Sequence, residues 1–319
     1  MNEALYLVLG LALLVLAGDV LVRGAVALSL RLNISAVLVS VTIVGFGTSV
    51  PELLIAIQAA LAGSPGIALG NVVGSNIANV LLVLGLPALL VPIAGCGPEA
   101  HRNLYVMLGV TALFSGLALT GSIGRWGGLV LMAAALAMVW DSVRAARRAR
   151  SALKFEALEE IAELGVAPHG LGIARTAVYI GAGIIGLPLG AHLLIEGAQG
   201  IAQEYGISEA AIGLTVVAIG TSLPELATSV MAALRRHADV AVGNVIGSNI
   251  FNITAIAGAA ALVHPLSVPA EILARDIWCM IGAGILLAPL VLLRHRIGRS
   301  IGAAFVGLYG VYGYFALAG

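Results

Sequence analysis

The chain has 319 residues, of which 60% are hydrophobic and only 10% are charged, and its formal net charge is zero. A soluble domain needs roughly a quarter of its residues charged to cover its surface, so this composition excludes a soluble globular protein. The apolar stretches have the length of about 20 residues that an α-helix needs to cross a bilayer, whereas barrel strands are short and alternating. The sequence therefore predicts an all-α polytopic membrane protein.

Hydropathy predicts ten transmembrane helices. In chain order they cover residues 4–27, 36–62, 66–93, 104–121, 126–143, 171–201, 209–234, 238–263, 272–293 and 300–318. The start of the chain carries no basic residue, so the first span is expected to be a retained helix rather than a signal peptide. Cys96 and Cys279 are too few for a disulfide framework and are expected to be packing residues.

The hydrophilic stretch 144–170 lies between the fifth and sixth spans. It divides the chain into a first five-helix unit at 1–143, a linker at 144–170 and a second unit at 171–319. Of the sixteen basic residues, all but Arg125 and Arg275 fall on the side of the linker. The positive-inside rule makes that side cytoplasmic, so both termini are expected outside, in a bacterial inner (plasma) membrane.

The two units contain an internal repeat without gaps. Residues 34–79 align on 207–252 with a constant offset of 173, and 22 of the 46 positions are identical. The stretch 45–53 reads GFGTSVPEL and its counterpart 218–226 reads AIGTSLPEL, while GNVVGSNIAN at 70–79 aligns with GNVIGSNIFN at 243–252. The repeats extend over about 34–85 and 207–258. Because each unit has five spans, the repeats must have opposite orientations, a construction typical of secondary transporters.

Two carboxylates lie near the centre of predicted spans, Glu52 in the second and Glu225 in the seventh. An intramembrane carboxylate costs several kcal/mol, so it needs compensation or a function. A buried ion pair is the structural alternative, but no lysine or arginine occupies the middle of a predicted span. Protons or mobile metal cations then remain as the counter-ions.

Each glutamate follows a proline, Pro51 or Pro224, which has no N–H to donate and is expected to kink its helix and free main-chain carbonyls. Gly45 and Ala218 are expected to expose further carbonyls near these kinks. Helical spacing places Thr48 and Ser49 on the face of Glu52, and Thr221 and Ser222 on the face of Glu225.

The third and eighth spans repeat a pair of polar side chains four residues apart, Ser75 with Asn79 and Ser248 with Asn252. These pairs are interpreted as ligands, with interhelical hydrogen bonding as the alternative. The accompanying glycines, at 70, 74, 243 and 247, are interpreted as surfaces for close helix packing. A set of carboxylate, amide, hydroxyl and carbonyl oxygens without sulfur or imidazole suits Ca²⁺ better than zinc, copper or nickel.

With GTSVPE and GTSLPE each followed by a GNVxGSN segment, the chain resembles the cation/calcium antiporter superfamily, in its prokaryotic Na⁺/Ca²⁺ exchanger branch. The resemblance covers nearly the whole chain. It implies an exchanger-like fold of two inverted five-helix repeats, in which the second, third, seventh and eighth helices bind ions while the first and sixth slide across them. It also implies twelve ligand positions: Gly45, Thr48, Ser49, Glu52, Ser75, Asn79, Ala218, Thr221, Ser222, Glu225, Ser248 and Asn252.

The function expected from these residues is antiport of Na⁺ for Ca²⁺ by alternating access, with no cofactor, nucleic acid or obligatory protein partner. The alternative is a Ca²⁺/H⁺ or other divalent cation antiporter that uses the same glutamates. Related exchangers with K⁺ dependence place Asp at the position of Asn252, so the amide hints at K⁺ independence. An ion channel is a further alternative, whereas the absence of nucleophile–base and metalloprotease motifs argues against an enzyme.

Overall fold

The computed structural model describes residues 2–32, 36–93, 97–149, 172–204, 220 and 222–318. In the first half the helices are α1 (Asn2–Leu32), α2 (Val37–Thr48), α3 (Val50–Leu61), α4 (Pro65–Leu90), α5 (Pro98–Ala118) and α6 (Arg125–Ala149). In the second half they are α7 (Ile173–Glu204), α8 (Leu223–Leu234), α9 (Ala238–Val263), α10 (Ile272–Leu292) and α11 (Arg299–Ala318).

Nine of the ten predicted spans fall on these helices, with α2 and α3 together forming the second span. Of the seventh, 209–234, the structure describes residue 220 and the stretch 222–234, where α8 lies. Length and hydropathy alone qualify five of the described helices as spans, or six when α2 and α3 are counted as one. The helices α1 and α6 continue further than predicted, to Leu32 and Ala149, and α5 begins earlier than predicted, at Pro98. The predicted spans of α1 and α6 end where polar residues begin. Arginine and alanine are good helix formers, so both helices continue past these points. Most of the predicted linker, 150–170, lies outside the described residues.

The predicted kink before Glu52 is confirmed. The axes of α2 and α3 differ by 46°, and the helix breaks at Ser49, whose φ and ψ are −88° and 11°. Pro51 then occupies the first turn of α3, where its missing N–H leaves no helical bond unmade. Ser222 has nearly the same conformation, with φ −87° and ψ 4°, directly before α8. Both repeats therefore start a new helix at the glutamate.

A second repeated irregularity interrupts the two most buried helices. Asn79–Val83 forms a π-helical turn within α4, and Asn252–Ile256 forms the corresponding turn within α9. A π turn inserts one extra residue into the helical ladder and redirects the side chains that precede it, and such turns are frequent at functional sites. Each turn here begins at a predicted ligand, Asn79 or Asn252.

The helices differ in how much of their surface the protein covers. In the most apolar 18-residue windows of α4 and α9, 78% and 83% of the residues are buried, against 35% in α1 and 33% in α7. The main hydrophobic core is built from α3, α4, α5, α9 and α10. Helices α1 and α7 pack along each other at its edge. Of the helices predicted to be central, α4 and α9 are therefore deeply buried, and the pair expected to slide lies at the edge of the core.

Glycines line the contact between α1 and α7. A Cβ atom at Gly183 would lie 2.5 Å from the Cβ of Leu21, and one at Gly190 would lie 2.9 Å from the nitrogen of Leu14. Small residues let helix backbones approach closely in lipid, where van der Waals contact is a main source of association. We call this contact the α1–α7 seam.

Two short β contacts tie loops together at opposite ends of the bundle. Strand β1 (Ser122–Ile123) pairs antiparallel with β2 (Leu266–Ser267), and a single bridge joins Ile93 to Ile297. Leu266 is the repeat counterpart of Ile93, so the two contacts are related by the internal repeat. One contact follows α9 and the other follows α4, and inversion of the repeats therefore places them on opposite faces.

Asp19 of α1 pairs with Arg23, four residues further along the helix, at 2.9 Å. Because α1 continues to Leu32, Arg23 lies inside the helix rather than near its end. Asp19 also binds Arg235, which follows the last turn of α8. The counterpart pair in α7, His192 with Glu196 at 3.3 Å, is largely exposed.

Candidate functional site

The two glutamates of the repeats meet in the interior. Glu52 and Glu225 are each only 1% exposed and lie in the first turns of α3 and α8. Ser49, three residues before Glu52, donates a hydrogen bond to the carboxylate of Glu225, so the two acids lie in the same region of the interior. The N-terminal end of a helix carries a partial positive charge that stabilises a carboxylate. The break in each helix therefore supplies a favourable end for one acid at the centre of the protein.

These carboxylates have no basic partner in the part of the chain that the structure describes. Ion pairs are made there by other acids, among them Asp19, Asp141, Glu196 and Asp276. One carboxylate oxygen of each glutamate, Oε2, is buried and makes no hydrogen bond to a described residue. Burying such atoms is costly unless a partner compensates them. The structural alternative of a buried ion pair is thus not favoured by the described residues.

Hydroxyl groups from both repeats surround Glu225. The Ser49 hydroxyl donates to Oε1 of Glu225 at 3.0 Å, which links the break in the first repeat to the acid of the second. The hydroxyls of Thr48 and Ser248 also lie beside this carboxylate. Thr48 is fully buried and donates to the carbonyl of Val44 at 3.1 Å. The first repeat therefore contributes to the surroundings of the second repeat's glutamate.

The main-chain carbonyl of Gly45, predicted to be exposed, already accepts hydrogen bonds. It receives the amide of Ser49 at 3.2 Å and the hydroxyl of Ser248 at 3.3 Å. A Cβ at position 45 would lie 3.0 Å from the nitrogen of Ser248, so the glycine allows α9 to approach this carbonyl. These two bonds were not predicted, because helical spacing within one span does not show which neighbouring helix packs there.

Amide side chains are the third kind of polar group in the candidate site. Asn79 donates to Oδ1 of Asn249 at 3.0 Å, while its own Oδ1 is buried without a partner among the described residues. Both polar side-chain atoms of Asn252 and the hydroxyl of Ser222 are in the same situation. Buried polar atoms are normally hydrogen-bonded, and exceptions call for a compensating group such as an ion.

The structure describes ten of the twelve predicted ligand positions, and their residues are buried. Ala218 and Thr221 lie outside the described residues. Ser75 and Ser248, predicted beside the asparagines, are 5% and 0% exposed. No three His, Cys, Asp or Glu side chains come together in the described ranges. The donors that do come together are carboxylates, hydroxyls and amides, which are oxygen ligands suited to hard cations.

Sequence reasoning missed two asparagines that hold the glutamates in place. Asn71 donates to the main-chain carbonyl of Glu52 at 3.1 Å, and its counterpart Asn244 donates to that of Glu225 at 3.2 Å. Both bonds join neighbouring helices, α3 to α4 and α8 to α9. The identity of these asparagines in the two repeats was the available signal. We regard them as positioning residues.

Replacing Asn71 or Asn244 by alanine is expected to weaken cation binding. Each substitution removes one hydrogen bond to a buried residue, which contributes about 0.5–1.5 kcal/mol, and each 1.4 kcal/mol is about tenfold in affinity. We therefore expect KM for the transported divalent cation to rise by up to about tenfold, with a smaller change in the maximal rate. The measurement is cation flux into proteoliposomes over a range of concentrations.

Ser115→Ala is the matched control for these variants. Its buried hydroxyl donates to the carbonyl of Thr111 at 2.8 Å within α5, away from the glutamates. A KM in Asn71→Ala no higher than in Ser115→Ala would show that the asparagine has only a structural role.

A second missed pair joins the two repeats directly. Asn249 donates to the main-chain carbonyl of Asn76 at 3.3 Å, and Asn76 is the repeat counterpart of Asn249. With the bond from Asn79 to Asn249, this contact fixes α4 against α9 beside the carboxylates. The asparagines in and next to each GSN segment therefore have two roles. Some hold helices together, and others keep a side-chain oxygen without a partner among the described residues.

Comparison with known proteins gives consistent matches. A family model described as sodium/calcium exchanger protein matches residues 2–142 and 175–318. The inner membrane protein YrbG of Escherichia coli strain K12 is 35% identical over 303 residues, covering 94% of this chain and 92% of that protein. The sodium/calcium exchanger MaX1 of Methanosarcina acetivorans is 31% identical over 334 residues, covering 96% and 95%. The solved structure of the sodium-calcium exchanger NCX_Mj superposes with a TM-score of 0.81 at 31% identity, over 97% of each chain.

Proposed function

The chain belongs to the sodium/calcium exchanger protein family, and we propose that it exchanges Na⁺ for Ca²⁺ across the membrane by alternating access. The observation that carries this proposal is the meeting of two buried carboxylates, Glu52 and Glu225, without a basic partner in the described part of the chain. Two negative charges in the interior match one Ca²⁺, or two Na⁺ with further Na⁺ at neutral oxygens. The two cations then compete for the same acids, which is the requirement for coupled exchange.

The surrounding oxygens support a calcium ligand shell. Ca²⁺ takes six to eight oxygen ligands in flexible geometry, whereas Mg²⁺ keeps several waters. We propose as ligands the twelve positions of the repeated motifs, including the two that the structure does not describe. They are Gly45, Thr48, Ser49, Glu52, Ser75, Asn79, Ala218, Thr221, Ser222, Glu225, Ser248 and Asn252.

The relatives support the same reading. MaX1 is named a sodium/calcium exchanger, and the protein CaxA of Alkalimonas amylolytica, 36% identical over 92% of this chain, is named a putative antiporter. Solved forms of NCX_Mj were soaked with Na⁺, Ca²⁺ or Sr²⁺. Proposed partners of this chain are accordingly Na⁺, Ca²⁺ and the bilayer.

We propose that the units 1–143 and 171–319 form the two halves and that 144–170 is a cytoplasmic linker. The helix α6 extends into the proposed linker, to Ala149. Charge segregation supports this orientation, because Arg125 and Arg275 lie on the face of the β1–β2 contact while Arg296 and Arg299 lie beside the Ile93–Ile297 bridge. Both termini would then lie outside the cell, in an inner (plasma) membrane.

The test is isotopic calcium uptake into proteoliposomes with separately imposed Na⁺ and pH gradients. We expect an outward Na⁺ gradient to drive accumulation of calcium above its external concentration, with no added K⁺. Uptake that follows the pH gradient and ignores Na⁺ would instead assign a Ca²⁺/H⁺ antiporter. Equilibration without accumulation under either gradient would assign a channel, because a channel cannot move calcium against its gradient.

A further inference from the structure

Four residues in the described part of the chain have a left-handed backbone. They are Gly63 (φ 66°), Gly121 (φ 86°), Arg236 (φ 60°) and Arg294 (φ 52°). Arg236 is the counterpart of Gly63 at the offset of 173, and Arg294 follows the end of α10 as Gly121 follows the end of α5. This conformation costs little for glycine but strains a side chain with a Cβ. On one face of the protein, arginine therefore replaces the residue that the backbone prefers.

Arg236 lines a cavity of about 360 Å³ at this face. A second arginine, Arg296, lies in the wall opposite the α8–α9 turn. The rest of the lining is mostly apolar: Val91, Pro92, Ile93, Ala233 and Ala238. The cavity thus lies where the end of α4, the α8–α9 turn and the α10–α11 loop come together. These are helix ends, at the depth of lipid headgroups.

Both arginines are exposed and available to a ligand. Neither Arg236 nor Arg296 takes part in an ion pair with any residue that the structure describes, unlike the neighbouring Arg235, which binds Asp19. Guanidinium groups match phosphate oxygens in geometry and charge and often bind them with two hydrogen bonds. Two of them above an apolar floor form a site for an anion that carries an apolar portion.

The opposite face has no such arginine pair. At the repeat-related positions Arg236 becomes Gly63, and Arg296 becomes Ser122 when the SIGR and RIGR segments are aligned. The stretch that corresponds to residues 91–93 is His264–Leu266. The preference for basic residues on the cytoplasmic side explains why this face is positively charged. It does not explain why an arginine with a strained backbone lies in the wall of a cavity.

We propose that this cavity binds the phosphate of an anionic lipid headgroup through Arg236 and Arg296. Basic pockets between helix ends on the cytoplasmic side bind such headgroups in other membrane proteins. A lipid fits better than free phosphate because most of the lining is apolar and would contact the glycerol and upper acyl chains. The proposal does not depend on which ion the protein transports.

The test is the thermal stability of the purified full-length protein in neutral detergent, with phosphatidylglycerol, phosphatidylcholine or inorganic phosphate added. We expect phosphatidylglycerol to raise Tm, since a ligand that binds the folded state stabilises it. Arg236→Gly with Arg296→Ser should lose most of this rise. Arg236→Gly restores the residue that the first repeat has in the same turn, so the variant should fold at least as well without lipid.

Arg294→Gly is the matched control, because it removes an exposed arginine with the same strained backbone from the same face but not from the cavity. It should keep the full response to phosphatidylglycerol. An equal loss in Arg294→Gly would overturn the proposal in favour of diffuse surface charge. An unchanged response in the double variant, or an equal rise with phosphatidylcholine, would also overturn it. A rise with inorganic phosphate as large as that with phosphatidylglycerol would overturn the assignment to a lipid.

Discussion

Glu52→Gln and Glu225→Gln are each expected to abolish calcium exchange while leaving the protein folded. Each substitution keeps the shape of the side chain but removes one of the two charges that a divalent cation would neutralise. A neutral amide is also less costly to bury than an uncompensated carboxylate, so the stability of the variants should be unchanged or increased. The measurement is Na⁺-driven calcium uptake into proteoliposomes, with Tm and elution from a sizing column as checks on folding.

Glu271→Gln provides the control. Glu271 is exposed near the start of α10, and its substitution removes the same charge from the chain. It should transport as the parent protein does. Normal uptake by either interior variant would remove that glutamate from the proposed site, and binding of radioactive calcium to the purified variant would show whether binding or movement is lost.

Gly247→Val is expected to be the most destabilising of the proposed single substitutions. Gly247 packs against the main chain of Val41 in the π-helical turn Ser40–Val44 of α2, and a Cβ there would overlap that backbone. Overpacking of a filled interior costs about 1–3 kcal/mol, and more when backbone must move. Because α9 also carries Ser248 and Asn252, its displacement should remove transport as well. A thermal melt and an uptake assay on the same preparation measure both effects.

Gly109→Val is the control for this substitution. Gly109 is an exposed glycine within α5, and a Cβ there would meet no described atom within 4 Å. It should melt close to the parent protein. A melting temperature of Gly247→Val equal to that of Gly109→Val would show that α9 does not seat on α2 as closely as described.

Much of the architecture was predictable because the internal repeat carries it. The offset of 173 determined which helices correspond, and the odd number of spans determined their inversion. Proline before Glu52 was sufficient to predict the break at Ser49. In the second repeat the structure describes the start of α8 after Ser222, but not the stretch before it. The ends of helices were harder, because hydropathy falls at Arg23 and after residue 143 while the helical hydrogen bonding of α1 and α6 continues.

The candidate site was predictable in composition but not in connectivity. Glu52 and Glu225 were evident from their charge in an apolar span. The bond from Ser49 to Glu225, and those from Asn71 and Asn244 to the glutamate backbones, depend on how separate helices come together. Spacing along one helix gives the face on which a residue lies, but it does not give the partner across the interface. Identity between the two repeats is a better guide to the residues of the site, since it selects Asn71 and Asn244 as readily as Glu52 and Glu225.

The α1–α7 seam has a consequence for how access could alternate. At Gly183 and Gly190 the two helices approach so closely that a Cβ atom at either position would lie 2.5 Å or 2.9 Å from an atom of α1. If this close packing is kept during transport, a displacement of α1 is accompanied by the same displacement of α7. Because the repeats are inverted, a movement that uncovers the glutamates from one side would cover them from the other. A joint movement of α1 and α7 would therefore oppose simultaneous opening to both compartments. Such an opening would dissipate the ion gradients of the cell.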